Sequence, residues 1–357
     1  MRCPLFYEGG IRLWRGFVQV LKLTAPSRGV GAVLAPRINP YLGSIMRRTV
    51  QRRTAVGFIA LLALFLPSAL PAAASESSDD DDVIVLQDAK SAEGIAAGGG
   101  TTFFAGELST GDIFRGDIRE GKAMRIIDAP EGRMAVGMKA DVSNDLLFVA
   151  GGATGKAYVY NTETRKTVKE YDLAPGFIND VTLTDDGAWF TNSAVAELYF
   201  VPVGPRGELG KAKDVETLEV SGKAAAPLKE GEFGFNGIAV AEDGDTLIVA
   251  HTRDKALYTV DKWTGKSDRI KGSDLEFIDG ILVEGHTLWA VQNMDNRISR
   301  VELSDDLSSF KVEDVIKSGN FDIPTTVAKF GDTLAAVNAK FGRQAARYEV
   351  VLVPAWD

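Results

Sequence analysis

Short apolar strands alternate with tight polar turns along most of this chain, and one local pattern recurs at intervals. In the stretch 235–252, the polar pair Asn236-Gly237 precedes an apolar run, an Asp-Gly turn follows, and a second apolar run returns. Two apolar runs joined by such a turn are typical of a β-hairpin. The stretches 179–192 and 279–293 repeat the pattern, which identifies the hairpin as a repeat unit.

The hairpin recurs six times. The residue that begins each copy, its entrance position, is predicted to be Glu93, Met134, Asn179, Asn236, Asp279 and Pro324. Successive entrance positions are 41, 45, 57, 43 and 45 residues apart, which leaves room for four short strands in each unit. A second strand pair is visible at 156–160 and 167–171, and again at 256–260 and 266–270. Four-stranded units at this period predict an all-β fold, a six-bladed β-propeller over residues 83–357.

The two ends of this region predict how the ring closes. An orphan strand at 83–86 precedes the first hairpin, and a strand at 348–353 follows the last one. Pairing them in the last blade would join the ends and cover open strand edges. The longest spacing requires an insertion, which we place at 204–232. It is either a plain surface loop or a flap over the channel mouth beside Asn236.

The residues before the propeller divide into three segments. Residues 1–45 carry six basic residues and one acid, and we assign them no fold. Residues 46–74 have the features of an export signal, with four arginines before an apolar run and three alanines ending at Ala74. We expect cleavage near Ala74 and a secreted or periplasmic protein. Residues 75–82 are an acidic tail that we expect to be disordered.

Three alternatives to this processing scheme stay open. The apolar run could be retained as an anchor, although it is short for a span of roughly 20 residues. The arginine pair at Arg52 and Arg53 is compatible with the twin-arginine route. Met46 could be the true start, with residues 1–45 an extension of the reading frame.

Charge and cysteine content restrict the partners. Without residues 1–74 the chain carries 30 Lys and Arg against 48 Asp and Glu, a net charge of −18. Such a surface repels phosphate backbones and anionic lipid, so we expect neither nucleic acid nor a stable membrane association. The single cysteine, Cys3, lies in the segment that is removed, so disulfide and thiol chemistry are not expected. A small-molecule substrate is the expected partner.

The entrance positions carry the candidate chemistry. The innermost strands of a propeller surround a central channel, so equivalent entrance positions converge on its axis. Four of them are polar, and we call these the entrance residues: Glu93, Asn179, Asn236 and Asp279. Two carboxylates and two amide oxygens predict a hard divalent cation, Ca²⁺ above all, with Zn²⁺, Mn²⁺ and Mg²⁺ as alternatives. Softer metals favour His or Cys ligands, and neither occupies an entrance position.

Each of these residues also has a purely structural interpretation. Asn-Gly, Asn-Asp and Asp-Gly pairs are common in turns, and four polar residues could form a hydrogen-bonded plug. Their shared register in four blades favours the cation. His251 ends the second strand of the Asn236 hairpin and is a candidate substrate contact or proton relay, with a turn-capping role as the alternative. Phe177, Phe233 and Phe235 are expected to form an apolar wall.

These motifs resemble the senescence marker protein 30/gluconolactonase family and, more distantly, the paraoxonases and diisopropylfluorophosphatase. The pairs Glu93-Gly, Asn236-Gly and Asp279-Gly are similar to the family's entrance motifs, over about residues 83–353. Members are six-bladed propellers whose central divalent cation serves lactone, ester or phosphotriester hydrolysis. The resemblance implies that Glu93, Asn236 and Asp279 are metal ligands. It also implies that Asn179 is a further ligand or a substrate contact, and that Asp279 is the catalytic base or nucleophile.

One departure from the family pattern narrows the class of substrate that we expect. Gluconolactonase-type members have an arginine where this chain has Phe177, so sugar-acid lactones are not expected. We therefore predict an exported metal-dependent hydrolase acting on a lactone or ester, in which the cation polarises the carbonyl and Asp279 is catalytic. The alternative is a non-catalytic propeller that binds a ligand or a protein and holds a structural calcium ion.

Overall fold

The computed structural model describes residues 82–356. Six sheets of short strands form the blades of a ring, so the predicted six-bladed β-propeller is confirmed. The predicted export signal at 46–74, the extension at 1–45 and nearly all of the acidic tail lie outside the described residues. No helix between residues 82 and 356 combines the length and hydropathy of a membrane span.

The strands follow one another in chain order, and each blade takes four consecutive strands apart from the closing blade. The first strand is β1 (Val83–Leu86). Blade 1 contains β2 (Ile95–Ala97), β3 (Thr102–Gly106), β4 (Ile113–Asp117) and β5 (Lys122–Ile127). Blade 2 contains β6 (Met138–Asp141), β7 (Leu146–Ala150), β8 (Lys156–Asn161) and β9 (Lys166–Asp172). Blade 3 contains β10 (Ile178–Thr184), β11 (Gly187–Asn192), β12 (Glu197–Pro202) and β13 (Glu216–Glu219).

The second half of the ring repeats this order. A short strand, β14 (Ser221–Gly222), precedes blade 4, which contains β15 (Phe235–Val240), β16 (Thr246–His251), β17 (Ala256–Asp261) and β18 (Lys266–Ile270). Blade 5 contains β19 (Ile278–Glu284), β20 (Thr287–Gln292), β21 (Arg297–Leu303) and β22 (Phe310–Lys317). Blade 6 contains β23 (Pro324–Phe330), β24 (Thr333–Asn338) and β25 (Tyr348–Pro354). The 3₁₀ helices are Val142–Asn144, Ala212–Asp214, Lys223–Ala225 and Asn293–Asp295.

The ring closes as the sequence predicted. β1 pairs antiparallel with β25, so blade 6 takes its outermost strand from the start of the described chain. The insertion at 204–232 supplies the outer strand of blade 3, and β14 adds a parallel edge strand to β18 of blade 4. The insertion is therefore built into two blades.

The core lies between the blades and consists of six clusters, one at each blade interface. Side chains alternate between the two faces of a strand, and both faces of a middle strand are buried. In β16, for example, Leu247 and Val249 pack towards blade 3, whereas Ile248 and Ala250 pack towards blade 5. This double burial explains why the middle strands are apolar without interruption. Trp189 and Trp289 also pack between blades.

The innermost strands share an irregularity at the entrance position. In blades 3 to 6 the pairing register shifts at this point, for example between Phe235 and Ile238. A bulge of this kind re-aims side chains next to sites. The shared register identifies Val136 and Thr325 as the equivalents of Asn236 in blades 2 and 6. The predicted entrance positions Met134 and Pro324 therefore lie two residues and one residue before the observed ones.

In blades 1, 2, 4 and 5 a glycine follows the entrance position, and neighbouring innermost strands approach each other closely there. A Cβ atom on Gly94 would lie 1.9 Å from the carbonyl oxygen of Val136, and one on Gly237 would lie 2.7 Å from that of Asp279. Only a residue without a side chain fits such a backbone approach. The close packing of strands around the axis therefore explains the glycine of the X-Gly pairs in the sequence.

Candidate divalent-cation site in the central channel

The entrance residues are all buried at one end of the channel. Their relative exposures are 5% for Glu93, 6% for Asn179, 2% for Asn236 and 3% for Asp279. The Asn236 side chain hydrogen-bonds the Asp279 carboxyl, and the charges of Asp279 and Asp180 act on Glu93. The structure thus brings Glu93, Asn236 and Asp279 to one place, as the shared register predicts.

Residues just beyond the second strand of three blades fix the entrance side chains. These residues occur at one repeated offset, directly after the second strand of the blade. The three hydrogen bonds run from Asn179 Nδ2 to Ser193 Oγ (2.8 Å), from Asn236 Nδ2 to Thr252 Oγ1 (3.0 Å) and from Asn293 Nδ2 to Asp279 Oδ2 (2.6 Å). Because the amide nitrogens of Asn179 and Asn236 both donate hydrogen bonds within the protein, their amide oxygens are the groups left to act as ligands.

Among the entrance residues, Glu93 has a carboxyl oxygen without a hydrogen-bond partner. Its Oε2 atom is buried and has no hydrogen-bond partner. A buried carboxylate oxygen without a partner is costly, because it has lost water and gained nothing in return. Burial, together with the charges of Asp279 and Asp180, raises the pKa of Glu93 well above its ordinary value. Such an atom marks a place where a cation or a proton belongs.

The neighbouring carboxyl groups are perturbed in the same direction. Burial raises the pKa of Asp279 to about 7, although hydrogen bonds from Asn293 and Asn236 act to lower it. Burial also raises the pKa of Asp180 to about 6, opposed by hydrogen bonds from the backbone N–H groups of Val181 and Ile238. All three carboxyl groups therefore resist ionisation in the absence of a counter-charge.

Below the entrance residues, the channel contains a cavity of about 210 Å³ whose lining includes Lys139, Asp180, Glu284 and Lys329. Lys329 Nζ pairs with Glu284 Oε2 at 2.7 Å. Burial lowers the pKa of Lys139, and the Asp180 charge acts in the opposite sense. Asp180 replaces the glycine that follows the entrance position in blade 3, which is why its side chain enters the channel.

The charges along the channel do not balance. The pair of Lys329 and Glu284 is neutral, which leaves Lys139 against three carboxylates, Glu93, Asp180 and Asp279. When all of these groups are ionised, their net charge is −2. A divalent cation has the charge that would compensate this excess, and two protons would do so at lower pH.

The donor set fits a hard cation. Among residues 82–356, no three His, Cys, Asp or Glu side chains are grouped closely enough to form a metal site by themselves. The predicted set has only two carboxylates, Glu93 and Asp279, and completes its oxygen donors with two amides. Ca²⁺ accepts mixed carboxylate and amide oxygens and keeps waters in its remaining positions. The residues present are therefore compatible with calcium.

An apolar rim lies at the entrance end. It consists of side chains from loops on this side of the ring that belong to, or pack against, one cluster: Leu108, Met134, Phe177, Phe233 and Phe341. The rings of Phe177 and Phe233 meet edge to face with 5.5 Å between their centroids. The predicted wall at Phe177 and Phe233 is thus part of a larger surface. Phe235 instead packs into the core between blades 3 and 4.

His251 faces a different part of the molecule from the channel. It lines a pocket between blades 3 and 4 together with Ala196, Leu228 and Phe235. Its ring meets those of Phe235 and Tyr258 edge to face, at 5.7 Å in each case. The suggested role of His251 in substrate binding stays a prediction. In the structure this side chain lines the pocket between blades 3 and 4.

Comparisons with known proteins support the fold. No protein-family model and no curated protein matches the chain. Among solved structures, the allergen Mala s 1 of Malassezia sympodialis is similar with a TM-score of 0.54 and 14% identity, over 76% of this chain and 92% of that one. Virginiamycin B lyase of Staphylococcus aureus gives 0.51 and 16%, over 76% and 87%. The propeller domain of Swd1 from Myceliophteria thermophila gives 0.53 and 11%, over 75% and 98%. At these identities the likeness establishes the β-propeller architecture alone.

Proposed function

We propose that the protein is a calcium-dependent hydrolase that cleaves a lactone or an ester in its central channel. Glu93, Asn236 and Asp279 would hold the cation, with Asn179 as a further ligand. The observation that carries the proposal is the buried, unpartnered Oε2 atom of Glu93 beside a second carboxylate. Two further observations support the proposed cation site. They are the uncompensated charge of the channel and the resemblance of three X-Gly pairs to those of the gluconolactonase family.

The chain supplies most parts of the proposed reaction. When bound, the cation would act as a Lewis acid on the substrate carbonyl. Asn293 holds Oδ2 of Asp279 at 2.6 Å and so orients this carboxylate, which would take a proton from the attacking water. The apolar rim would receive the hydrocarbon part of the substrate and exclude bulk water. Phe177 in this rim favours an apolar lactone or ester over a sugar acid.

Calcium titration of the chelator-treated full chain tests the cation site. We expect one Ca²⁺ for each chain, and at least tenfold weaker binding in Glu93→Gln and Asp279→Asn. Glu284→Gln is the matched control, because this carboxylate lies in the same channel and pairs with Lys329. Equal weakening by all three substitutions would indicate a diffuse effect of channel charge and would exclude a site at the entrance residues.

Hydrolysis of δ-valerolactone and 4-nitrophenyl acetate tests the activity. We expect turnover that chelation removes and Ca²⁺ restores. Asp279→Asn should lower kcat at saturating Ca²⁺, because the proposed base is lost. An Asp279→Asn protein that binds Ca²⁺ and retains full kcat would remove Asp279 from the mechanism.

One observation favours a second candidate, a binding propeller with a structural ion. Each entrance residue is at least 94% buried, which suits an ion that stabilises the axis as well as one that meets substrate. Stoichiometric Ca²⁺ that raises the melting temperature, without turnover of either compound, would establish this alternative.

Export of the protein through the signal at residues 46–74 is also part of the proposed function. N-terminal sequencing of the mature protein tests cleavage near Ala74.

A further inference from the structure

A second cavity lies between blades 3 and 4, and we call it the blade 3–4 pocket. Its volume is about 220 Å³, and its lining includes Ala196, Ala224, Pro227, Leu228, Phe235 and His251. Among the side chains that line it, only that of His251 is polar. An apolar cavity with one convergent polar group is typical of small-molecule sites.

The hydrogen bonds of His251 determine which nitrogen carries the proton. The backbone N–H of Asp254 donates to Nδ1 at 3.3 Å. The Asp254 carboxylate accepts from Tyr258 Oη at 2.8 Å and from Arg253 Nε at 2.8 Å, and its Oδ2 lies 3.6 Å from Nδ1. Nδ1 is therefore the acceptor. Burial lowers the pKa of His251 to about 4, so the ring is neutral at pH 7 and its proton is on Nε2.

The Nε2–H group is directed towards the pocket. A Cβ atom built on Gly234, another lining residue, would lie 3.4 Å from Nε2 and 2.9 Å from Leu228 Cδ1. The side chain of His251 is 2% exposed, and its Nε2 atom borders the pocket. A ligand oxygen in the pocket would accept the Nε2–H in surroundings that offer little water.

The segment that covers the pocket is held in place. Arg253 Nη1 donates to the carbonyl oxygens of Ala226 at 3.2 Å and Pro227 at 2.8 Å. The backbone N–H of Ala224 donates to Ser267 Oγ at 3.0 Å. Two carbonyl groups of the cover thus already accept hydrogen bonds from Arg253, so they do not compete with a ligand oxygen for the Nε2–H of His251.

We propose that the blade 3–4 pocket binds a small, uncharged aromatic carbonyl compound whose oxygen accepts the Nε2–H of His251. A dry cavity of about 150 Å³ holds one benzene molecule, so this volume suits a monosubstituted benzene. A charged ligand is disfavoured, because no charged side chain lines the pocket. The site is separate from the channel and does not depend on the cation.

Two probes of nearly identical shape test the hydrogen bond. Acetophenone carries a carbonyl oxygen where α-methylstyrene carries a methylene group. The protein has two histidines, so substitution His286→Gln assigns the imidazole signals of His251 in a spectrum of labelled protein. We expect acetophenone to shift the His251 signals and to bind about fivefold more tightly than α-methylstyrene. Equal affinities, or shifts absent at His251, would overturn the proposal.

A single added methyl group tests the location. Gly234→Ala would place its Cβ beside Nε2 and keep both backbone hydrogen bonds, from Gly234 N to Ser193 O and from Thr252 N to Gly234 O. We expect at least tenfold weaker acetophenone binding and unchanged Ca²⁺ binding. Gly319→Ala is the control, because nothing lies within 4 Å of its added Cβ. Full acetophenone affinity in a folded Gly234→Ala protein would place the ligand elsewhere.

Discussion

Losing a buried polar contact usually destabilises a protein, whereas the substitution Asp279→Asn should make this protein more stable relative to the original as the pH rises from 5 to 8. In the cation-free protein, burial raises the pKa of Asp279 to about 7, whereas an unfolded Asp titrates near 3.9. The folded state therefore binds a proton between these pH values that the unfolded state has released. The stability linked to this proton is fully present below about pH 4 and is lost as the pH rises through about 7.

The size of the effect follows from the difference between the two pKa values. A shift of about three units corresponds to ~4 kcal/mol of destabilisation above pH 8. Part of this loss has already occurred at pH 5, so ~3 kcal/mol remains between pH 5 and pH 8. Asn cannot ionise, and its side-chain oxygen still accepts the hydrogen bond from Asn293. The variant should therefore gain ~3 kcal/mol relative to the original protein over this interval.

Urea unfolding followed by tryptophan fluorescence measures this quantity. Both proteins are unfolded in EDTA at several pH values from 5 to 8, and the free energies of unfolding are compared at each one. Comparing pH values cancels any constant cost of the substitution. Addition of Ca²⁺ at pH 8 should stabilise the original protein and leave Asp279→Asn nearly unchanged. Parallel pH profiles in EDTA would show that Asp279 does not face a second carboxyl group in a dry site.

Three further substitutions probe ring closure, the axis and the rim. Ile84→Ala removes a fully buried side chain from the closing strand and should lower the free energy of unfolding by about 2–5 kcal/mol; an unchanged urea midpoint would contradict this closure. Gly237→Ala would bring a Cβ within 2.7 Å of the Asp279 carbonyl oxygen, so calorimetry should show about 1–3 kcal/mol of destabilisation and weaker Ca²⁺ binding than in Gly319→Ala. Phe341→Ala removes an apolar side chain from the rim; KM for the aryl ester should rise about fivefold with kcat retained, and a loss confined to kcat would exclude a binding role.

The repeat pattern in the sequence is sufficient to predict the architecture of this protein. Apolar runs, Asp-Gly turns and a recurring X-Gly pair depend on local backbone preferences, which are written in a few adjacent residues. They located six hairpins, the closing strand Val83–Leu86 and the four entrance residues. The register in blades 2 and 6 was misplaced, because neither Val136 nor Thr325 carries the carboxyl or amide side chain that marks the other entrance positions.

Other features depend on residues that are far apart in the chain and become visible only in the tertiary structure. The partners of Asn179 and Asn236 lie 14 and 16 residues away, across a hairpin whose exact register decides which side chains meet. Lys139 and Asp180 come from different blades and share the channel only after the ring has formed. His251 shows the same limit, because its place at the end of the second strand of the Asn236 hairpin suggested a substrate contact or a proton relay at the channel. Its strand pairing with Phe235 and the cover at 224–228 instead place it in a pocket between blades. Sequence thus fixes what each strand presents, whereas the packing of blades decides which charges and donors face one another.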